Sequence, residues 1–172
     1  MEIWDLYNDK RQLLDKTHNR QDKMEIGKYH IAINVWTVND DNKILLTLRH
    51  PNKEKYPNLW ENTGGSVLAG ETSKGGAIRE LNEETGIVAD ESDLFFLGTR
   101  KEKTAFVDTY IIRKSPKISE LKLQDGETVE AQWVTLDKLD DMIKSRVIAL
   151  PVAERLVPLR KEFEDFLYSD RI

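Results

Sequence analysis

The stretch from Gly65 to Ile87 constrains this chain more than any other. It reads Gly65-Ser66-Val67-Leu68-Ala69-Gly70-Glu71-Thr72-Ser73-Lys74-Gly75-Gly76-Ala77-Ile78-Arg79-Glu80-Leu81-Asn82-Glu83-Glu84-Thr85-Gly86-Ile87. Four acidic side chains and one arginine stand at fixed intervals between glycines. The pattern predicts a helix over 72–85: Thr72 or Ser73 can cap its start, and Gly86 suits the left-handed residue just past its end. On that helix Glu80 lies one turn before Glu83 and Glu84, which crowds three carboxylates onto one patch. Like charges so close repel, and an ordinary solvated face would interleave lysines. A hard divalent cation removes the conflict, because clustered oxygen ligands are what magnesium or manganese takes. Gly75-Gly76 inside the helix costs about 1 kcal/mol each relative to alanine, which close packing against a sheet would justify.

The rest of the chain predicts strands around that helix. Ile3–Tyr7 and Gln12–Leu14 read as two short strands about the turn Asn8-Asp9-Lys10, followed by a charged segment, Asp15–Lys28, expected to be a loop. Trp4 and Tyr7 are expected to pack on the domain or a second subunit rather than touch substrate. His30–Val38 and Lys43–Leu48 flank the turn signal Asn39-Asp40-Asp41-Asn42. A basic, proline-bearing loop, Arg49–Glu61, leads into the glycine-rich stretch. Leu94–Leu97 and Ala105–Ile112 are expected strands joined by the polar Thr99–Thr104, and Val129–Val134 is the last. Leu136, Leu139 and Ile143 have helical spacing, as do Val152, Leu156, Leu159, Phe163 and Phe166, a stripe suited to core or dimer contact. Pro151 fits a helix start, whereas Pro158 must kink or split the helix.

Composition narrows the chemistry. With 172 residues the chain is long enough for one well-cored domain. The absence of cysteine removes disulfides, thiolate zinc sites and cysteine nucleophiles together. His18, His30 and His50 are too scattered for a zinc site. A net charge of −5 argues against a general nucleic-acid binder. No signal peptide and no apolar run of membrane-spanning length is visible, so a cytoplasmic address away from membranes is expected.

The spacing glycine, five residues, Glu, seven residues, Arg-Glu, apolar, any, Glu-Glu, any, glycine, apolar resembles the signature of the Nudix hydrolases, and Gly65, Glu71, Arg79, Glu80, Leu81, Glu83, Glu84, Gly86 and Ile87 fit every fixed position. The resemblance implies an α/β fold, an α/β/α sandwich with a mixed sheet. Chain length suggests one domain over 1–172, with 1–28 as a hairpin-like extension, and the C-terminal apolar stripe allows a homodimer. The resemblance implies hydrolysis of a nucleoside diphosphate linked to another moiety. Such a substrate is a small diphosphate-containing molecule whose charges need cations. By the same resemblance Glu80, Glu83 and Glu84 hold Mg2+ or Mn2+ with help from the Gly65 backbone. Glu83, Glu84 and Arg79 are the catalytic candidates of the signature, Arg79 pairing with Glu71 and steering its neighbours. A further carboxylate is expected from the run Asp125–Glu130, Glu127 before Glu130. Arg49 and Lys53 are candidates for contacting phosphate oxygens.

Two rival readings share these residues. Trp60-Glu61-Asn62-Thr63-Gly64-Gly65-Ser66 and Gly27-Lys28-Tyr29-His30 resemble the branch related to isopentenyl-diphosphate isomerase. That chemistry needs a cysteine near Gly64 and a metal-binding histidine near Ser66, and neither is present. A non-catalytic Nudix-fold sensor would be expected to have lost metal carboxylates, which are intact here.

Overall fold

The computed structural model describes residues 2–169. The chain runs β1 (Ile3–Tyr7), β2 (Leu13–Asn19), β3 (His30–Val38), β4 (Ile44–Arg49), β5 (Trp60–Glu61), β6 (Thr63–Ser66) and α1 (Ser73–Thr85). It continues through β7 (Phe95–Lys101), β8 (Ala105–Arg113), β9 (Thr128–Val134), α2 (Leu136–Lys144), α3 (Leu150–Leu156) and α4 (Arg160–Tyr168).

Seven strands form the main sheet in the order β5-β4-β3-β8-β7, with β6 paired to β3 and β9 to β4. The sheet is mixed: β3 runs parallel to β8 from His30↔Ala105 to Val38↔Arg113, and the other pairs are antiparallel. A parallel pair needs a long crossover, and α1 lies within that connection. Side-chain alternation then sorts the core into two layers. Ile31, Ile33 and Val35 join Leu45, Tyr110 and Ile112 under Ala77 and Leu81 of α1. Trp36 and Val38 face the other way with Ile44, Leu46 and Ile111, against Leu139, Phe163 and Leu167 of the later helices. Helices therefore cover both faces, the α/β/α sandwich that the resemblance implied.

One detail of the pairing opens a cleft. Strand β3 meets β4 at Val38↔Ile44 and then takes β6 over Ala32–Val35, opposite Thr63–Ser66. The exchange of neighbours sets the glycine-bearing β6 beside the carboxylate-bearing α1.

The strands differ from expectation in several places, and β5 and β6 form where a loop and the start of the glycine-rich stretch were expected. The segment expected as a loop from Asp15 is strand as far as Asn19, paired to β1 from Ile3↔Asn19 to Tyr7↔Leu13. Asp15 sits there at φ 50, which breaks the alternation a strand would show in sequence. Likewise β7 runs through Thr99 and Arg100 to Lys101, and the connection to β8 is short. Pro158 lies in a 3-10 turn, Val157–Leu159, which separates α3 from α4.

Candidate active site

Helix α1 is fixed at both ends by its own sequence. The Thr72 hydroxyl accepts from the Gly75 N–H at 2.9 Å, and Gly86 closes the helix at φ 74 with its N–H on the Asn82 carbonyl. Of the paired glycines, Gly76 has a packing reason. A Cβ on Gly76 would stand 3.0 Å from Cγ2 of Val67, so the helix approaches the strand layer at that point.

Arg79 is the hub of the signature. Its Nε donates to Glu71 Oε1 at 2.8 Å, and its Nη2 donates to Glu71 Oε2 at 3.0 Å and to the Ser66 carbonyl at 2.9 Å. Nη1 reaches Glu80 Oε1 at 2.9 Å and Glu83 Oε2 at 3.2 Å. The Glu71 carboxylate also accepts from the Leu68 N–H at 2.9 Å. One guanidinium thus ties the loop after β6 to the helix and holds two of its carboxylates. Its bonds hold Glu71 below the usual carboxylate range.

Glu80, Glu83 and Glu84 border a cleft of about 480 Å³, with Gly64, Gly65 and Ser66 of β6 alongside. Arg49, Lys53, Lys55 and Glu127 border it as well. Arg49 is already engaged there, donating to both oxygens of Glu61 at 2.9 and 2.7 Å and to the Lys55 carbonyl at 3.1 and 2.9 Å. Lys53 pairs with Glu127. His50 N–H donates to the Glu127 carbonyl at 2.8 Å, which docks the basic loop against the 124–127 turn. Glu130 lies on β9 opposite Leu48, exposed and apart from the residues that border the cleft.

The site carries excess negative charge in a confined space. The Glu84 carboxyl is walled in, and burial pushes it well above the usual carboxylate range. The nearby Glu61 and Glu80 charges add to that push, against hydrogen bonds from Gly64 and Thr63. Burial also raises Glu80 despite the opposing Arg79, and raises Glu61 despite Arg49. Such carboxyls are short of positive charge.

The donor set fits a divalent cation, although no closed shell is built. Among the described residues no three carboxylate or imidazole groups converge tightly enough to hold an ion as they stand. The reason is visible: Glu80 and Glu83 both turn to Arg79. Beside them Gly65 leaves a cradle, since a Cβ there would fall 2.2 Å from Cδ and 2.3 Å from Oε1 of Glu80. All-oxygen donors, raised carboxyls and room for backbone approach are what a hard cation asks for.

Sequence reasoning missed several residues of the cleft. Glu2, Trp4 and Arg20 of the β1–β2 hairpin border it, as does His30. Trp4 packs on the domain, its ring stacked on His30 at 4.0 Å and 14°, and it also faces the cleft. Glu61, half-buried and close enough to Glu84 for its charge to act there, was passed over as the end of the basic loop. No spacing in the sequence links these positions to the helix, because the sheet brings them together.

Comparison with known proteins agrees with this geometry. The NUDIX domain model matches residues 28–155. An uncharacterized Nudix hydrolase of Listeria monocytogenes is 38% identical over 151 residues, covering 84% of this chain and 86% of that protein. A prenyl-diphosphate phosphatase of Methanosarcina mazei is 29% identical over 128 residues, covering 73% and 75% respectively. A crystal structure from Deinococcus radiodurans superposes with a TM-score of 0.75 over 92% of this chain and 99% of that one; at 20% identity this likeness bears on the fold alone. With a matching domain over most of its length and a Listeria relative of this similarity, the chain belongs to the Nudix family and is a Nudix hydrolase.

Proposed function

We propose that this hydrolase cleaves the pyrophosphate bond of a nucleoside diphosphate linked to another moiety, with magnesium or manganese bound. The observation that carries the reading is the Gly65 cradle against Glu80, set between raised carboxyls in one cleft. Glu80, Glu83 and Glu84, with the Gly65 backbone, would hold the cation. Bound there, it supplies the charge neutralisation that a diphosphate needs before water can attack.

The chain's own groups do the remaining work. Arg79 is a positioning residue, because its donors are engaged by Glu71, Ser66, Glu80 and Glu83. Glu127 rather than Glu130 is the outside carboxylate in this reading, since it borders the cleft and Glu130 does not. It takes a proton from the attacking water as the water oxygen bonds to phosphorus and the bridging P–O bond breaks. Lys53, next to Glu127, meets a phosphate oxygen, whereas Arg49 acts by holding Glu61.

A prenyl diphosphate is the second reading, favoured by the name of the Methanosarcina relative. Isomerisation has no support, because Gly64 and Ser66 stand where that chemistry needs cysteine and histidine. A magnesium-dependent screen of nucleotide and prenyl diphosphates, scored for released phosphate and monophosphates, decides between the two. Expected is hydrolysis of nucleoside diphosphate derivatives, with Glu127→Gln slower than Glu130→Gln on the best substrate. Release from prenyl diphosphates alone selects the second reading, and no release from any diphosphate overturns both.

A further inference from the structure

Four cationic side chains border the cleft, Arg20, Arg49, Lys53 and Lys55, and they are unequally committed; the Lys55 ammonium has no ion pair among the described residues. Arg49 makes two bonds to Glu61 and two to a backbone carbonyl, in a pair only 18% and 17% exposed. Lys53 is bound to Glu127. Arg20 has a single partner: its Nη1 donates to Glu2 Oε1 at 2.7 Å, and the two side chains are 60% and 40% exposed. An exposed ion pair of one contact is worth little in water, so exchanging it for a better anion is easy.

Arg20 nevertheless stands on a fixed element. The hairpin is pinned by Arg11, whose guanidinium lies on both oxygens of the buried Asp108. Gly70 N–H donates to Asp5 Oδ2 at 2.8 Å, and Ala69 N–H donates to the Ile3 carbonyl at 2.8 Å. Tyr7 and Tyr29 exchange backbone bonds of 2.8 and 3.0 Å. Along the seam between hairpin and β3, the buried Trp4 Nε1 and His30 Nδ1 have no hydrogen-bond partner within the protein, and both residues border the cleft. The hairpin also lies outside residues 28–155, the part matched by the family domain.

We propose that the β1–β2 hairpin is a substrate-binding wall, in which Arg20 exchanges Glu2 for a phosphoryl oxygen of the diphosphate. This rests on the hydrolase reading above. A phosphoryl group offers the guanidinium two charged acceptors where Glu2 engages it through one. Glu2 is then a competitor that holds Arg20 in place until substrate arrives, and Trp4 is a neighbour that senses the exchange.

The test is calorimetric binding of methylenediphosphonate, whose P–C–P bridge resists hydrolysis, to the full chain at saturating magnesium. Arg20→Gln is expected to weaken binding by about tenfold or more, with Arg20→Lys recovering part of the loss. Glu2→Gln is expected to tighten binding, and to lose most of that effect when Arg20→Gln is also present. The Trp4 indole N–H resonance, identified by its loss in Trp4→Phe, should shift during the titration. Arg20→Gln binding as tightly as the parent overturns the proposal while leaving the hydrolase reading intact. So does a Glu2→Gln effect that is the same with and without Arg20. A parent protein that binds no probe sinks the proposal and the hydrolase reading together. Thermal unfolding of each variant shows whether it folds, and both positions are exposed enough that folding is expected.

Discussion

A methyl group added at Gly65 would stand 2.2 Å from Cδ and 2.3 Å from Oε1 of Glu80. The obstructed atoms are the end of a flexible side chain, so Gly65→Ala should fold while turning the carboxylate away. Expected is a loss of at least about tenfold in kcat at saturating magnesium, with Tm close to the parent. A parental rate would show that Glu80 does not need its place. His30 tests a different force. Burial lowers its pKa from 6.5 to about 4. Between those values the unfolded chain binds a proton that the folded chain refuses, so stability falls as pH drops through that window, by up to about 3 kcal/mol in all. In urea unfolding at pH 7 and 4.5, His30→Gln should lose less stability on acidification than the parent. Equal losses would contradict a neutral buried ring. The sequence showed Gly65 and Glu80 through their spacing, whereas His30 could be called structural but not located, because Trp4 reaches it through the hairpin.

Among the elements, α1 was the most legible. Its cap residue, its left-handed glycine and its carboxylates are all local features, and local features are what a sequence displays. The hairpin was legible only in part. Its first strand is rich in apolar and aromatic residues, but β2 carries Asp15 at φ 50 and mostly exposed side chains, so no apolar rhythm marked it. The polar half of β7 was hidden for a similar reason: Thr99, Arg100 and Lys101 show no apolar rhythm, although they pair with Asp108, Val107 and Phe106 across the sheet. What secures the hairpin is Asp108, 2% exposed, which takes the Arg11 guanidinium and the hydroxyl of Thr99 at 2.6 Å. Arg11→Met would leave that carboxylate buried without its cation, at a cost of about 3 kcal/mol. The urea midpoint should fall far more for Arg11→Met than for the exposed Arg20→Gln. Equal midpoints would mean that the hairpin is held by its backbone bonds instead.

Across the whole molecule, two apolar layers hold a mixed sheet whose central strand changes partner, and that change places β6 against α1. The spaced apolar residues of β3 and the apolar runs of β4 and β8 marked these segments as strands; the exchange of partners left no mark in the sequence, because it depends on long-range pairing. The site is therefore a product of topology acting on a local motif: α1 brings carboxylates, β6 brings a backbone with room, and the loop after β4 brings cations. The central claim is that this arrangement hydrolyses diphosphates only with a divalent cation on the helix carboxylates. The most direct measurement is the steady-state rate on the best diphosphate substrate with magnesium, with chelator and with magnesium restored, for the parent and for Glu84→Gln. Expected is a parental rate that vanishes with chelator and returns with magnesium. A folded Glu84→Gln is expected to be slower by on the order of a hundredfold or more. A parental rate that persists in excess chelator, or a Glu84→Gln variant as fast as the parent, would contradict the claim.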